Sequence, residues 1–272
     1  MKKAALIKSL CFVFVSLSCC FFLLGSCGLE SYYFLEPPYE GNNVPDGNNS
    51  DKPLMYFSFV TQESENAEYI NGSEFKFKGT EIYYKIFNNY NEMVNWQNEI
   101  DRLNSGTNYT AAFEKLTSSS YNYQKLNLSC DVVLDPLIAA TGDNRYVYIR
   151  LNDYGTEESF RNGICIGNDS LSEYDEASAM KVKGEIVYPR RTDGASVKHG
   201  FNFCPSDNAD DDNPVPSEND IDVQYNSTPS VEGTWYVDMY AVSVGVDNSF
   251  NYSYSKVLHL GSIFIEESDY KD

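Results

Sequence analysis

The chain of 272 residues has only two histidines, His199 and His259. Any Ser-His-Asp or Cys-His arrangement would need one of them. "DGASVKHG" surrounds His199 with turn residues, and His259 falls within a strand pattern, where a packed or edge imidazole is expected. G-x-S-x-G, HExxH, G-x-G-x-x-G and a phosphate loop are all missing. Basic clusters are missing too, beyond Arg190-Arg191. Twenty Lys and Arg stand against 40 Asp and Glu, a formal charge of -20, so the chain lacks the basic footprint of phosphate binding and nucleic acid is excluded as a partner. Beyond the apolar N-terminus, the wide spacing of Cys130, Cys165 and Cys204, with only two histidines, argues against a zinc site. After residue 24 no long apolar run occurs.

What is present begins at the N-terminus. Lys2, Lys3 and Lys8 precede the almost wholly apolar Leu10 to Leu24, a charged region followed by an apolar one, as in a secretory signal. At roughly 15 residues the run is shorter than the ~20 a membrane-spanning helix needs. Leu24-Gly25-Ser26-Cys27 closes it and resembles the lipobox of bacterial lipoproteins. The resemblance implies that residues 1–26 are removed, that Cys27 is diacylated on its thiol, and that it becomes the first residue of the mature chain. Two or three acyl chains, at ~0.8 kcal/mol per buried methylene, suffice for stable anchoring. Cys11, Cys19 and Cys20 would leave with the signal. Loss of the three lysines leaves 17 bases against 40 acids, a charge of -23, which an anionic bilayer surface would repel.

Cys130, Cys165 and Cys204 remain. An odd count allows at most one internal disulfide, and sequence does not choose the pair. The 22 Tyr, with many Asn, suit carbohydrate or protein recognition surfaces; the plainer account is that strands favour Tyr and Phe, and that an A- and T-rich genome favours codons for Tyr and Asn.

From about Glu36 to Pro53, Pro, Gly, Asn and acids crowd together without a periodic apolar face. Residues 27–53 therefore read as a lipidated Cys and flexible tether, in which the last ~18 residues alone span ~60 Å when extended at ~3.3 Å each. Residues 54–272 read as one domain. "MYFSFV" sets Phe57 and Phe59 on one side, "TEIYYKIF" does so with Ile82, Tyr84 and Ile86, and "RYVYIRL" with Val147, Ile149 and Leu151, the alternation of strands with one buried face. "TWYVDMYAVSV" alternates Trp235, Val237, Met239 and Ala241 against Tyr236, Asp238 and Tyr240, and "SKVLHLGSIFI" completes a closing hairpin. Between them, near 91–118, a helical insertion is expected: Asn91 offers a cap, and Met93, Trp96, Ile100 and Leu103 form one stripe. Trp96 is read as core, and Tyr109, Ala112, Phe113 and Leu116 mark a second short helix.

Strands at both ends without a β-helix-β rhythm favour a mostly β fold, an antiparallel sandwich with inserted short helices and long loops. "GTEIYYKIFN", Gly79 to Asn88, is similar to the third strand of a fibronectin type III or immunoglobulin-like domain. Gly233 to Val257 is similar to the last hairpin of that family, with Trp235 and Ala241 at its core-aromatic and small-inward positions. The departure is the long middle, where the helices and much of Cys130 to Asp222 would be insertions to a module of ~100 residues. With the lipobox, "CGLESYYFLEPP" resembles lipoproteins of treponeme-type spirochaetes, which implies a two-membrane host and adds no catalytic residue.

The densest charge, near 204–222, holds Asp207, Asp210, Asp211, Asp212, Glu218, Asp220 and Asp222. Starting an EF-hand at Asp210 puts Pro214 at the fifth position and Val215 where Gly is required, so a solvated, mobile loop is expected. No catalytic residue, cofactor or metal is assigned; paired carboxylates of a hydrolase are the weaker alternative. The expected function is a lipid-anchored cell-envelope protein, outer membrane by the two-membrane resemblance, held through Cys27, with a non-catalytic binding or structural role toward a protein or glycan ligand.

Overall fold

A computed structural model describes residues 33–72, 74–154, 161–203 and 213–269. The chain divides into two compact units, Met1–Tyr33 and Phe34–Asp272. The signal segment and Cys27 lie outside the described residues, and the described strands and helices fall in the second unit.

Its fold is mostly β, an antiparallel sandwich. Numbered in chain order, the first sheet runs β1 (Tyr39–Glu40), β2 (Phe57–Val60), β7 (Tyr146–Arg150), β8 (Gly163–Gly167), antiparallel throughout. The second runs β12 (Val223–Gln224), β3 (Phe75–Phe87), β13 (Thr234–Asp247), β14 (Tyr252–Glu266). Short β4 (Gln124–Lys125) and β6 (Ile138–Ala139) also pair with β3. Among the described strands, β12 alone joins in parallel. Two ribbons complete it, β5 (Asn127–Leu128) with β11 (Pro189–Arg190) and β9 (Lys181–Val182) with β10 (Glu185–Ile186). The central core lies between the sheets: Phe57, Phe59, Val147 and Ile149 face Ile82, Ile86, Val237, Met239 and Ile263. These are the apolar halves of the alternating runs, as period-two geometry requires.

The opposite halves are buried as well, which corrects the expectation of strands with one buried face. On the outer side of the second sheet a helix spans Tyr90–Asn104 and a shorter one Ala111–Thr117. Met93, Ile100, Ala112, Phe113 and Leu116 pack there against Tyr83, Phe87, Tyr236, Tyr240 and Val242. Trp96 belongs to this layer, edge-on to Phe87 at 5.3 Å and stacked on Tyr121 at 4.0 Å. The long helix is capped by Asn89, whose side chain accepts from the Glu92 N–H; Asn91 lies inside the helix. Asn89 has the extended backbone a cap needs, and Glu92 in the first turn favours the positive end of the helix dipole. The middle of the chain is more than insertion, because β7 and β8 supply half of the first sheet.

The stretch read as a tether is laid against the domain from Leu35 onward. Leu35 is buried, and its carbonyl accepts from the Tyr109 hydroxyl. The Asn66 amide holds Glu36, accepting from its N–H at 2.9 Å and donating to its carbonyl at 3.0 Å. β1 then extends the first sheet, Asn43 donates to the Leu54 carbonyl at 2.9 Å, and the Ser262 N–H of β14 donates to the Pro45 carbonyl at 2.9 Å. Gly261 turns at φ +98°, and a Cβ there would lie 2.3 Å from the Pro45 carbonyl oxygen. Only glycine accepts both conditions. Residues 35–54 thus form a strap touching an edge of each sheet. Polar side-chain clamps replace the periodic apolar face that the sequence lacks.

Candidate functional site

One cleft opens where the chain leaves β4. Its walls are Ile82, Leu126, Leu128, Val133, Leu134 and Leu137, its polar groups Glu81, Lys125, Asn127 and Thr192, and its volume about 200 Å³. Two further openings of about 410 and 690 Å³ flank the same segment near Leu134–Ala139. β3 supplies Glu81, β4 supplies Lys125, and the loop between β5 and β6 supplies Asp135. The Lys125 ammonium bridges the carboxylates, 2.7 Å from Glu81 and 3.1 Å from Asp135. The Tyr83 hydroxyl donates to Glu81 at 2.7 Å. Burial pushes the Glu81 carboxyl above the usual carboxylate range, outweighing the bonds from Lys125 and Tyr83. The hydrogen bond shared with Glu81, then that from Lys125, hold Asp135 below that range. Split carboxyls can divide acid and base roles. Here one ammonium bridges both carboxylates, so the pair is already engaged as an ion-pair cluster. In the cleft lining Val133 is 85% exposed; next to the ion-pair cluster the half-exposed Tyr252 points its hydroxyl toward Asp135 at 3.4 Å.

Two other polar clusters are internal. Asp238, fully buried on β13, accepts from Gln97 at 2.8 Å and Tyr123 at 2.6 Å and lies 2.7 Å from His259 Nε2. Burial alone would lower the His259 pKa, but the Asp238 carboxylate outweighs it and the net shift is upward. Asp222 and Arg191 are both fully buried and joined by two contacts, Nε to Oδ2 at 3.0 Å and a terminal nitrogen to Oδ1 at 2.9 Å. Asp220 and the Tyr84 hydroxyl complete the network, each at 2.6 Å. Removing one partner of such a pair strands a charge, at a cost of ~3–5 kcal/mol. This corrects the reading of Asp220 and Asp222 as part of a solvated loop: their partner Arg191 stands some 30 residues upstream.

Family models, curated proteins and solved structures give no match to this chain.

Of the residues expected from the sequence, Cys27, Cys204, Asp207, Asp210, Asp211 and Asp212 lie outside the described residues. Cys130 and Cys165 are free thiols; burial pushes Cys165 up to about 11, so its reactive thiolate is scarce. His199 Nδ1 lies 2.5 Å from the Asp193 carboxylate. Among the described residues no group of three or more His, Cys, Asp or Glu could hold a metal ion, and no helix is long and apolar enough to cross a membrane. The Glu81–Lys125–Asp135 cluster leaves no mark in the sequence, since its members stand 44 and 10 residues apart and no local spacing joins them.

Proposed function

We propose that the chain is a lipid-anchored protein of a bacterial cell envelope, on the outer membrane, with a non-catalytic binding or structural role. The cleft at residues 126–137 carries the binding reading: an apolar wall, polar groups including Glu81 and Lys125, and the exposed Val133 in its lining. The ligand in this reading is a protein or a glycan presented at the cell surface. Glu81, Asp238 and Asp222 are all engaged by donors from other elements, which favours structural service over turnover.

The order β3-β13-β14 supports the module-level resemblance, because it matches the C-F-G order of fibronectin type III and immunoglobulin-like sheets. The first sheet departs from the family: β7 lies beside β2 and the later β8 takes the edge, whereas the family's A-B-E-D order puts the later strand beside B.

Protease treatment of intact cells, with a periplasmic protein as leakage control, tests display. Loss of this protein with the control intact supports a surface binding role, and full protection overturns it. A Cys27→Ser chain that is still cut and membrane-bound would sink the lipid anchor. The glycan alternative draws on Tyr252 beside Asp135, and requires an array hit that Tyr252→Ala removes.

A further inference from the structure

The strap limits how far the domain can stand from its anchor. The chain is held from Leu35 onward by Tyr109 and Asn66. Seven peptide steps separate Cys27 from Phe34, at most about 25 Å when fully extended. That is well short of the span a free stretch to Pro53 would give.

At the end of this leash stands an unusual surface. Phe34 is 59% exposed, its ring edge-on to Tyr109 at 5.4 Å. The Lys256 ammonium lies 5.9 Å from the centre of the Tyr109 ring. An exposed phenyl ring, a half-buried tyrosine and a lysine form the combination that settles at the headgroup level of a bilayer, with the rings at the acyl boundary and the amine among phosphates. A short leash keeps such a patch at high effective concentration over the membrane, so that a weak contact is populated.

We propose that the Phe34–Tyr109–Lys256 face rests on the lipid headgroup layer, so that the domain lies against its membrane. This rests on the reading of Cys27 as the lipid anchor. The occupant is zwitterionic lipid: Glu36 is exposed beside the patch and the mature charge is strongly negative, so anionic lipid weakens the contact. The opposite end of the long hairpin points elsewhere, since Val242, paired with Val257 beside Lys256, is separated from Thr234 by eight residues, about 27 Å.

The test uses the full lipidated protein in phosphatidylcholine vesicles that carry acyl chains brominated near the headgroup. Phe34→Trp places a reporter on the face, Val231→Trp places one beyond the Thr234 end, and unsubstituted protein supplies the background of Trp96 and Trp235. The added fluorescence at position 34 is expected to be quenched about two-fold more than that at 231. A glycine-serine insertion of about 20 residues after Glu30 should weaken that quenching. Equal quenching at both sites, or quenching at 34 that the insertion leaves unchanged, overturns the proposal. Mass measurement of the N-terminal peptide separates the two ideas: acylated Cys27 without quenching defeats this inference alone, and an unacylated Cys27 defeats the anchor reading and with it this one.

Discussion

Along β13, alternate side chains enter two different interiors. Trp235, Val237, Met239 and Ala241 point between the sheets into an apolar layer. Tyr236 and Tyr240 point toward the helices, with Asp238 fully buried between them and bonded to Gln97, Tyr123 and His259. One strand therefore serves a core held by shape and area and another held by aromatic rings around a hydrogen-bonded carboxylate, Asp238. The difference teaches that a polar residue in an alternating run marks a wet face only when nothing packs over it.

Met239→Ala attacks the first interior. It should cost ~2–5 kcal/mol in denaturant unfolding, because the vacated space lies between two sheets that cannot easily close on it. Tyr123→Phe attacks the second by deleting one donor to Asp238, and should cost ~1–3 kcal/mol; an equal or larger loss than Met239→Ala would break the contrast. Asn89→Ala removes only the cap of the covering helix, worth ~1 kcal/mol, and should lower the melting temperature without altering the core. The smallest effect is a pH dependence. Because the folded His259 pKa is raised, its pairing with Asp238 stabilises fully below the unfolded value of ~6.5 and fades as pH rises through the folded value. The stability gap between the unsubstituted protein and His259→Gln should therefore be wider near pH 6 than near pH 9, and a gap that widens with pH would contradict the pairing.

The inner layer was legible because Phe57, Ile82, Val147 and Val237 each sit in clean period-two runs, and the helical stripe because Met93 and Ile100 recur on one face. The outer burial was hidden. Glu81, Lys85 and Asp238 look like solvent residues until Lys125, the Asn122 and Ile221 carbonyls, and Tyr123 with Gln97 arrive from distant segments. The strap was hidden for a related reason: Asn43, Asn66 and Tyr109 fasten it through side-chain hydrogen bonds, which leave no periodicity. Asp222 reads as one acid among many, since its burial depends on an arginine that proximity in sequence does not suggest. The cleft residues come from three separate segments, so composition hints at recognition without saying where.

The strap has a practical consequence for anyone truncating the chain. Starting a soluble version at Leu54, the first residue of the alternating pattern, would strip β1 from β2 and uncover the Ser262 stretch of β14. Bare strand flanks recruit other chains, so that version should aggregate. One beginning at Tyr33 keeps both flanks closed.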